Sequence, residues 1–534
     1  MRLLTSLTFM RVGVWLIVLG LFISPLALVV SLALGGNQIP QLLDQGLGTA
    51  VWNSTYTTLL SAAGAVIIGT SIALLLDRSN AHGRGALRLF LLSPLLIPPF
   101  IGAIAWLQLF GPNQGLNKFF GTELWNIYGA DGVTVLLIIH SYPIVYVVMS
   151  NALRQLPSDM EQAARVAGAN TTTVLRTITL PLLRPALLSA FTLTAVANLA
   201  DFGIPALIGS PARFETLATM IYRFMESGTV DNPLQTVSTI GVVLLFLGIA
   251  AVTADYLVSL YASTQLQDTG AALNFDLGKA RIPVSIISWV IALIFTLAPI
   301  LGLAYRALLP APGVPFTLDT ITLKNFQAAL GNPRVIEGFT NSVTLALGAA
   351  LICGVLGWLI GVLVTRTRHL ANTPMTLVVL LPTALPGMII GVGWLILGRY
   401  TDLYNTRWII LGAYVCAFTA LVLQSVRAPL AQSPLAMEEA ARISGAGRVR
   451  ALLDTTGAMA IPAAIAGAAL VAVTAVRELT VSILLIAPGT TTLGVQVFNL
   501  QQAGNYNQAS ALSLMFAVLG IVALSVTVRS QKEI

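Results

Sequence analysis

Long apolar runs alternate with short polar breaks from one end of the chain to the other. A helix of about 20 apolar residues crosses roughly 30 Å of hydrocarbon. Twelve such runs fall near residues 12–34, 53–76, 86–110, 132–154, 182–208, 234–262, 282–305, 339–364, 375–398, 408–427, 459–486 and 509–528. They predict an all-α integral membrane protein with about twelve transmembrane helices. Placing the N-terminus in the cytoplasm puts most of the 28 lysines and arginines on the inner side, the asymmetry that short loops carry in membrane proteins. Both termini then lie inside, with the loops near residues 77–88 and 365–369. Two longer outer segments, 111–131 and 309–339, carry Trp, Phe and Tyr among polar residues. They suit either a docking face for an external partner or loops resting on the membrane.

Two of the inner polar breaks share a sequence. Met160 to Asn170 reads M-E-Q-A-A-R-V-A-G-A-N, and Met437 to Gly447 reads M-E-E-A-A-R-I-S-G-A-G, identical at seven of eleven positions with an offset of 277. Each predicts a short exposed helix. Ser158 with Glu161 has the spacing of a capping box, and Pro434 suits a first helical turn. Glu161 with Arg165, and Glu438 with Arg442, stand four apart in the order that supports a helix by about 0.2–0.5 kcal/mol. Gly168 and Gly445 suit left-handed caps that end it. A second helical run then starts near Asn170 and reaches the membrane at Pro185, whose counterpart is Pro462.

The repeat is wider than these breaks. Asn53-Ser54, Pro94, Pro98 and Trp106 recur as Asn341-Ser342, Pro382, Pro386 and Trp394 at an offset of 288. The change of offset places an 11-residue surplus between Trp106 and Glu161, most naturally in the outer segment 111–131. Six spans per unit make the two repeats parallel, related by an axis along the membrane normal. The implied organisation is an N-terminal span and outer loop (1–52), a first transmembrane domain (53–262), a linker with the seventh span and an outer loop (263–340), and a second transmembrane domain (341–528). The polar linker itself covers 265–281. Pro94, Pro98, Pro99, Pro382 and Pro386 predict kinks in the third and ninth spans, and His140-Ser141-Tyr142-Pro143 a bend in the fourth.

Composition agrees with a membrane protein, at 56% hydrophobic and 9% charged residues against about 25% charged in soluble domains. The net charge of +7 is spread thinly, without the basic, aromatic-interleaved stretches that bind nucleic acid. Cys353 and Cys416 fall in apolar spans without C-x-x-C spacing, so neither reads as a disulfide or metal ligand. The first apolar run exceeds the roughly 7–15 residues of a signal-peptide core and lacks a small-residue cleavage site, so it reads as a retained span. None of the lysines, Lys118, Lys279, Lys324 and Lys532, sits in G-x-x-x-x-G-K-[ST]. Any ATP-Mg is therefore expected on a partner chain, with no cofactor here. His82, His140 and His369 form no H-E-x-x-H motif, and no catalytic constellation speaks for a membrane enzyme.

Charges inside spans are few. Asp201 lies in A-D-F-G-I-P, Arg477-Glu478 in V-R-E-L-T, and Asp201 matches Glu478 at the offset of 277. A charge at mid-bilayer costs about 2.5–3.5 kcal/mol on translocon scales, so such groups face protein or a water-filled path. The pair fits a translocation path for an oxygen-seeking cation, since hard ions favour carboxylates. It fits equally a structural ion pair or a hydrogen-bonded hinge. No metal site is assigned.

The doubled polar helix resembles the cytoplasmic EAA loops of ATP-binding-cassette importer permeases. Glu161, Ala163, Ala164, Gly168 and Leu180-Pro181 match that pattern. Glu438, Ala440, Ala441 and Gly445 match it too, but Gly457-Ala458 stands where Leu-Pro is expected. The phrases A-D-F-G-I-P-A-L-I-G and V-R-E-L-T-V-S-I-L-L and the Asn-Ser opening of each core resemble the fused two-repeat permeases of ferric-iron uptake. The resemblance implies a type I importer transmembrane fold in the bacterial inner membrane, a non-catalytic subunit whose EAA helices dock on two cytoplasmic ATP-binding-cassette subunits. It further implies a periplasmic or lipid-anchored solute-binding protein and ferric iron as cargo. Related permeases serve thiamine, phosphonates and polyamines, and a secondary transporter with parallel repeats is the alternative of another class.

Overall fold

The structure, a computed structural model, describes residues 2–95, 97–112, 114–228, 230–261 and 275–530. Among them one isolated bridge, Ser79 to Phe275, is the sole extended pairing. The principal helices are α1 (Leu7–Leu34), α2 (Leu47–Arg78), α3 (Arg84–Leu92), α4 (Pro99–Phe110), α5 (Ala130–Arg154), α6 (Ser158–Val166), α7 (Arg184–Leu199), α8 (Leu217–Glu226) and α9 (Pro233–Tyr261). They continue with α10 (Arg281–Ala307), α11 (Pro333–Arg366), α12 (Asn372–Leu380), α13 (Gly387–Tyr400), α14 (Arg407–Gln432), α15 (Leu435–Ile443), α16 (Ile461–Val476), α17 (Leu493–Gln502) and α18 (Tyr506–Ser530). Residues 265–274 of the expected linker, and the last four of the chain, lie outside the described residues.

Among the described residues seven helices are long and apolar enough to cross a bilayer alone, and up to eleven spans result when each of four bent pairs counts once. The twelfth apolar run is helical as part of α18. The third, fifth, ninth and eleventh runs, expected as single spans, are the bent pairs. The third bends by 102° before α4 and the ninth by 111° between α12 and α13. Proline there removes a backbone donor and forces the residue before it out of helical geometry, as Leu385 shows with φ −105° and ψ 139° ahead of Pro386. The fifth and eleventh bend by 62° and 71°, and their helices stop at Leu199 and Val476, short of the expected ends. The fourth run differs the other way, for α5 continues through Pro143. Ser141 donates to the Leu137 carbonyl, not to the Ile139 carbonyl that the proline leaves free, and the His140 ring fills the space beside Gly102, where a Cβ would fall 1.8 Å from Nε2.

Two compact units emerge, each assembled from distant parts of the chain. One joins Met1–Leu47, Met220–Phe246 and Gly331–Gln496. Its core buries Val18 and Phe22 of α1 among Ile360 of α11, Trp394 of α13 and Leu423 of α14. Gly393 of α13 lets the Pro25 backbone of α1 approach, because a Cβ would sit 2.8 Å from the Pro25 oxygen. The other joins Gly48–Thr219, Leu247–Leu330 and Val497–Ile534. There α10 packs on the first core, with Trp289 edge-on to Phe90 at 5.7 Å and Ser93 donating to Thr296 at 2.9 Å. Each core thus holds the leading span of the other half. Cys353 and Cys416 are free and buried.

The same helix crossing recurs in both units. A Cβ on Gly69 of α2 would fall 2.6 Å from Val145 of α5, and one on Gly357 of α11 would fall 2.7 Å from Val422 of α14. Gly357 follows Gly69 by 288, and Val422 follows Val145 by 277. Without a hydrophobic force between helices in lipid, such small residues are what lets backbones meet. Asn-Ser pairs tie down the other end of these helices. Asn53 donates to the Glu215 carbonyl at 2.8 Å and Ser54 accepts from the Leu217 amide at 2.8 Å. Asn341 donates to the Thr491 carbonyl at 3.0 Å and Ser342 accepts from the Leu493 amide at 2.8 Å.

Gly69→Leu and Gly357→Leu are each expected to lower the melting temperature of the purified protein, since overpacking costs about 1–3 kcal/mol. Gly13→Ala, with nothing within 4 Å, should leave it unchanged. Equal melting temperatures for all three would refute the crossing.

Candidate functional site

Each doubled polar segment folds as a short helix between two spans. α6 and α15 both follow an extended proline, Pro157 and Pro434. Pro157 rather than Ser158 takes the cap position, and Ser158 lies inside the first turn. Both helices end in the expected left-handed glycine, Gly168 at φ +88° and Gly445 at φ +92°. The two amide bonds that define this cap are present in each copy: Ala169 to the Ala164 carbonyl and Gly168 to the Arg165 carbonyl, both at 2.9 Å, and Ala446 to the Ala441 carbonyl at 3.0 Å with Gly445 to the Arg442 carbonyl at 3.1 Å.

The glutamates face inward. Glu161 accepts from Arg78 at 3.0 Å and from the Thr179 hydroxyl at 2.8 Å, and Arg78 also donates to the Leu153 carbonyl at 3.0 Å. Arg78 and Glu161 are each 1% exposed. Glu438 accepts from Arg366 at 2.7 Å and from the Thr456 hydroxyl at 2.5 Å, while Arg366 donates to the Leu430 and Ser433 carbonyls. The local pairing expected between Glu161 and Arg165 is therefore replaced by a distant one. Arg165 lies over the Phe275 ring instead, 5.6 Å from its centre.

Both threonines sit in π-helical turns, Leu175–Thr179 and Leu452–Gly457, a wide turn frequent at functional sites. In the second copy, where Gly457-Ala458 replaces Leu-Pro, Trp358 donates to the Gly457 carbonyl at 2.8 Å, and a Cβ on Gly457 would crowd its ring at 3.0 Å. Arg78, Arg366, Thr179 and Thr456 were not singled out from the sequence. Their signal was present, since the arginines differ by 288 and the threonines by 277.

With the glutamates turned in, the helices show an apolar outer face. Met160 is 53% and Val166 90% exposed, and their counterparts Met437 and Ile443 are 42% and 87% exposed. Ala163 and Ala440 lie exposed between them, whereas Ala164 and Ala441 are half-buried. Exposed apolar patches of this kind mark interaction sites. The first copy is further braced by the start of the second half. The Phe275 amide donates to the Arg78 carbonyl at 2.5 Å, and Asn80 donates to Asp276 at 2.6 Å. The Gly278 amide first, and Asn80 second, hold the Asp276 carboxyl below the ordinary aspartate range.

The charged residues inside the spans occupy the helix breaks. Asp201 accepts from the Ile204 amide at 2.9 Å. Glu478 accepts from the Val481 amide at 2.6 Å and from the Ser482 amide and hydroxyl, both at 3.0 Å. Each carboxylate thus caps the turn after its break. Among the described residues no ion pair joins Arg477 to a carboxylate, and no group of three His, Cys, Asp or Glu gathers to hold a metal ion.

Glu161→Gln is expected to destabilise the purified chain by about 3–5 kcal/mol, because it strands a buried guanidinium. Glu438→Gln should cost less, since Glu438 is 14% exposed. Thermal unfolding of the two variants checks the order, and the reverse order would contradict the burial.

The family model for the binding-protein-dependent transport system inner membrane component matches residues 65–259 and again 354–533. The chain is 24% identical over 449 residues to a putative ferric transport system permease protein, FbpB 1, of Haemophilus influenzae, covering 80% of this chain and 67% of that one. It is 23% identical over 504 residues to the ferric transport system permease protein FbpB of Actinobacillus pleuropneumoniae, covering 90% and 71%. The molybdenum transport system permease protein ModB of Mycobacterium bovis is 31% identical over a shorter stretch of 156 residues, 29% of this chain and 59% of that one. A doubled family match over most of a chain built from doubled helical cores has one meaning: this multi-pass membrane protein belongs to the family of binding-protein-dependent transport system inner membrane components.

Proposed function

We propose that this chain is the permease of an ATP-driven importer of ferric iron. It carries the solute path, while two cytoplasmic ATP-binding-cassette subunits hydrolyse ATP-Mg, and a periplasmic or lipid-anchored binding protein delivers the iron. The observation that carries the reading is the pair of matched apolar faces on α6 and α15, each fixed to its span by an arginine–glutamate pair. A surface that moves rigidly with a transmembrane helix can pass a push from a soluble subunit into the bilayer. Ferric cargo rests on the two FbpB relatives, which cover most of the chain. Asp201 and Glu478, both bonded to backbone amides, support a role in shaping the path rather than in holding iron tightly.

The outward face is the place to probe coupling, because reversing charge at Glu161 would set a cation against Arg78 and disturb the fold. Val166→Asp with Ile443→Asp should abolish pull-down of an ATPase subunit and reduce uptake of radiolabelled ferric iron to that of cells lacking the chain. The amount of chain in the membrane should not change. Unlabelled thiamine, a phosphonate, a polyamine and molybdate should not compete. Unaltered iron uptake in the deletion strain would remove iron from the reading. Transport by the wild-type chain without any ATPase would refute it in favour of a secondary transporter.

A further inference from the structure

The two repeats differ at one place near the root of the EAA helices. In the first repeat, the last turn of α2 and the start of α3 are joined by an ion pair, Arg88 to Asp77 at 2.6 Å, with Tyr146 of α5 beside both. At the offset of 288 the second repeat has Thr365 for Asp77 and Thr376 for Arg88. At the offset of 277 Leu423 replaces Tyr146, and Arg427 replaces Ser150. The ion pair is gone and a cavity of about 460 Å³ stands open in its stead, lined by Thr365, Asn372, Thr373, Thr376, Leu377 and Arg427 among others. That volume is within the roughly 300–1,000 Å³ of small-ligand pockets.

The lining specifies the occupant. Arg427 is exposed and has no hydrogen bond or ion pair among the described residues, and no carboxylate lines the cavity. Thr365 and Thr373 bring hydroxyls beside the guanidinium, while the Thr376 hydroxyl donates to the Asn372 carbonyl at 2.9 Å. Asn372 is 8% exposed and its Nδ2 donates to the Leu363 carbonyl and to the Thr367 carbonyl and hydroxyl, which fixes the amide orientation. Its Oδ1 is buried, so Asn372 shapes the cavity wall and leaves the polar contact to Arg427. The rest of the lining is apolar, Val364, Leu377, Ala428 and Ala431, with Leu377 64% exposed. A guanidinium beside hydroxyls selects a phosphate, and an apolar lining adds acyl chains.

We propose that this cavity binds the phosphate headgroup of an anionic phospholipid, with Arg427 and the Thr365 and Thr373 hydroxyls on the phosphate. In the first repeat the Asp77–Arg88 ion pair stands at the equivalent place. A lipid so held would brace α11, α12 and α14 where Arg366 anchors α15, making the second EAA helix lipid-dependent and the first not.

Native mass spectrometry of the purified full chain, titrated with phosphatidylglycerol or phosphatidylcholine, tests this. The wild type should retain one phosphatidylglycerol in preference to phosphatidylcholine. Arg427→Gln should weaken that binding about tenfold. Thr365→Asp with Thr376→Arg, which rebuilds the ion pair of the first repeat inside the cavity, should weaken it as much with the melting temperature preserved. Equal retention of both lipids, or wild-type retention by both variants, would overturn the proposal. Displacement of the lipid by millimolar inorganic phosphate would assign the site to a free anion and overturn it as well.

Discussion

Burying a carboxylate beside a guanidinium costs several kcal/mol per ion in lost hydration, and attraction repays it only where the remaining donors and acceptors are also satisfied. This chain builds such a bonded knot twice. In each copy the arginine at the end of a long span holds a glutamate of the short polar helix, a threonine hydroxyl completes the carboxylate, and carbonyls from the preceding span take further guanidinium protons. The short helices α6 and α15 have little core of their own, so these knots set their position. The glutamate of the EAA pattern therefore acts as an anchor, and the residues beside it supply the surface.

That division of labour explains the composition of the segment. Alanines at 163 and 440 keep the outer face smooth, while Met160, Val166, Met437 and Ile443 supply apolar area. Left-handed Gly168 and Gly445 turn the chain sharply enough for the following π-helical turn to bring Thr179 or Thr456 back onto the glutamate. Helix stop, wide turn and buried pair form one connected device. It survives the loss of Leu-Pro in the second copy because Trp358 holds the Gly457 carbonyl.

Much of this was legible in the sequence because it is local or periodic. Apolar runs gave the spans, prolines the two sharp bends, and the glycines the ends of α6 and α15. What escaped was decided over long distances. Glu161 had a plausible partner four residues away in Arg165, and nothing local reveals that Arg78, 83 residues away, wins it. Ser158 looked like a cap because its spacing to Glu161 is right, but that glutamate is engaged elsewhere. A π turn has no composition of its own, so Thr179 and Thr456 were visible only through their shared offset. Asp201 and Glu478 leave path and hinge open from sequence, and what no local pattern reveals is that both accept from backbone amides.

The exchange of leading spans bears on how the protein is made. Residues 1–47 belong to a compact unit whose other large part is Gly331–Gln496. A chain leaving the ribosome from its N-terminus presents α1 long before α11, α13 and α14 exist to cover Val18 and Phe22. α1 therefore waits in the membrane for its final neighbours, and in the interval lipid or an insertion chaperone must shield it. Fusing both halves in one polypeptide guarantees that the awaited core arrives on the same chain, which removes the search for a separate subunit from the assembly of the transporter.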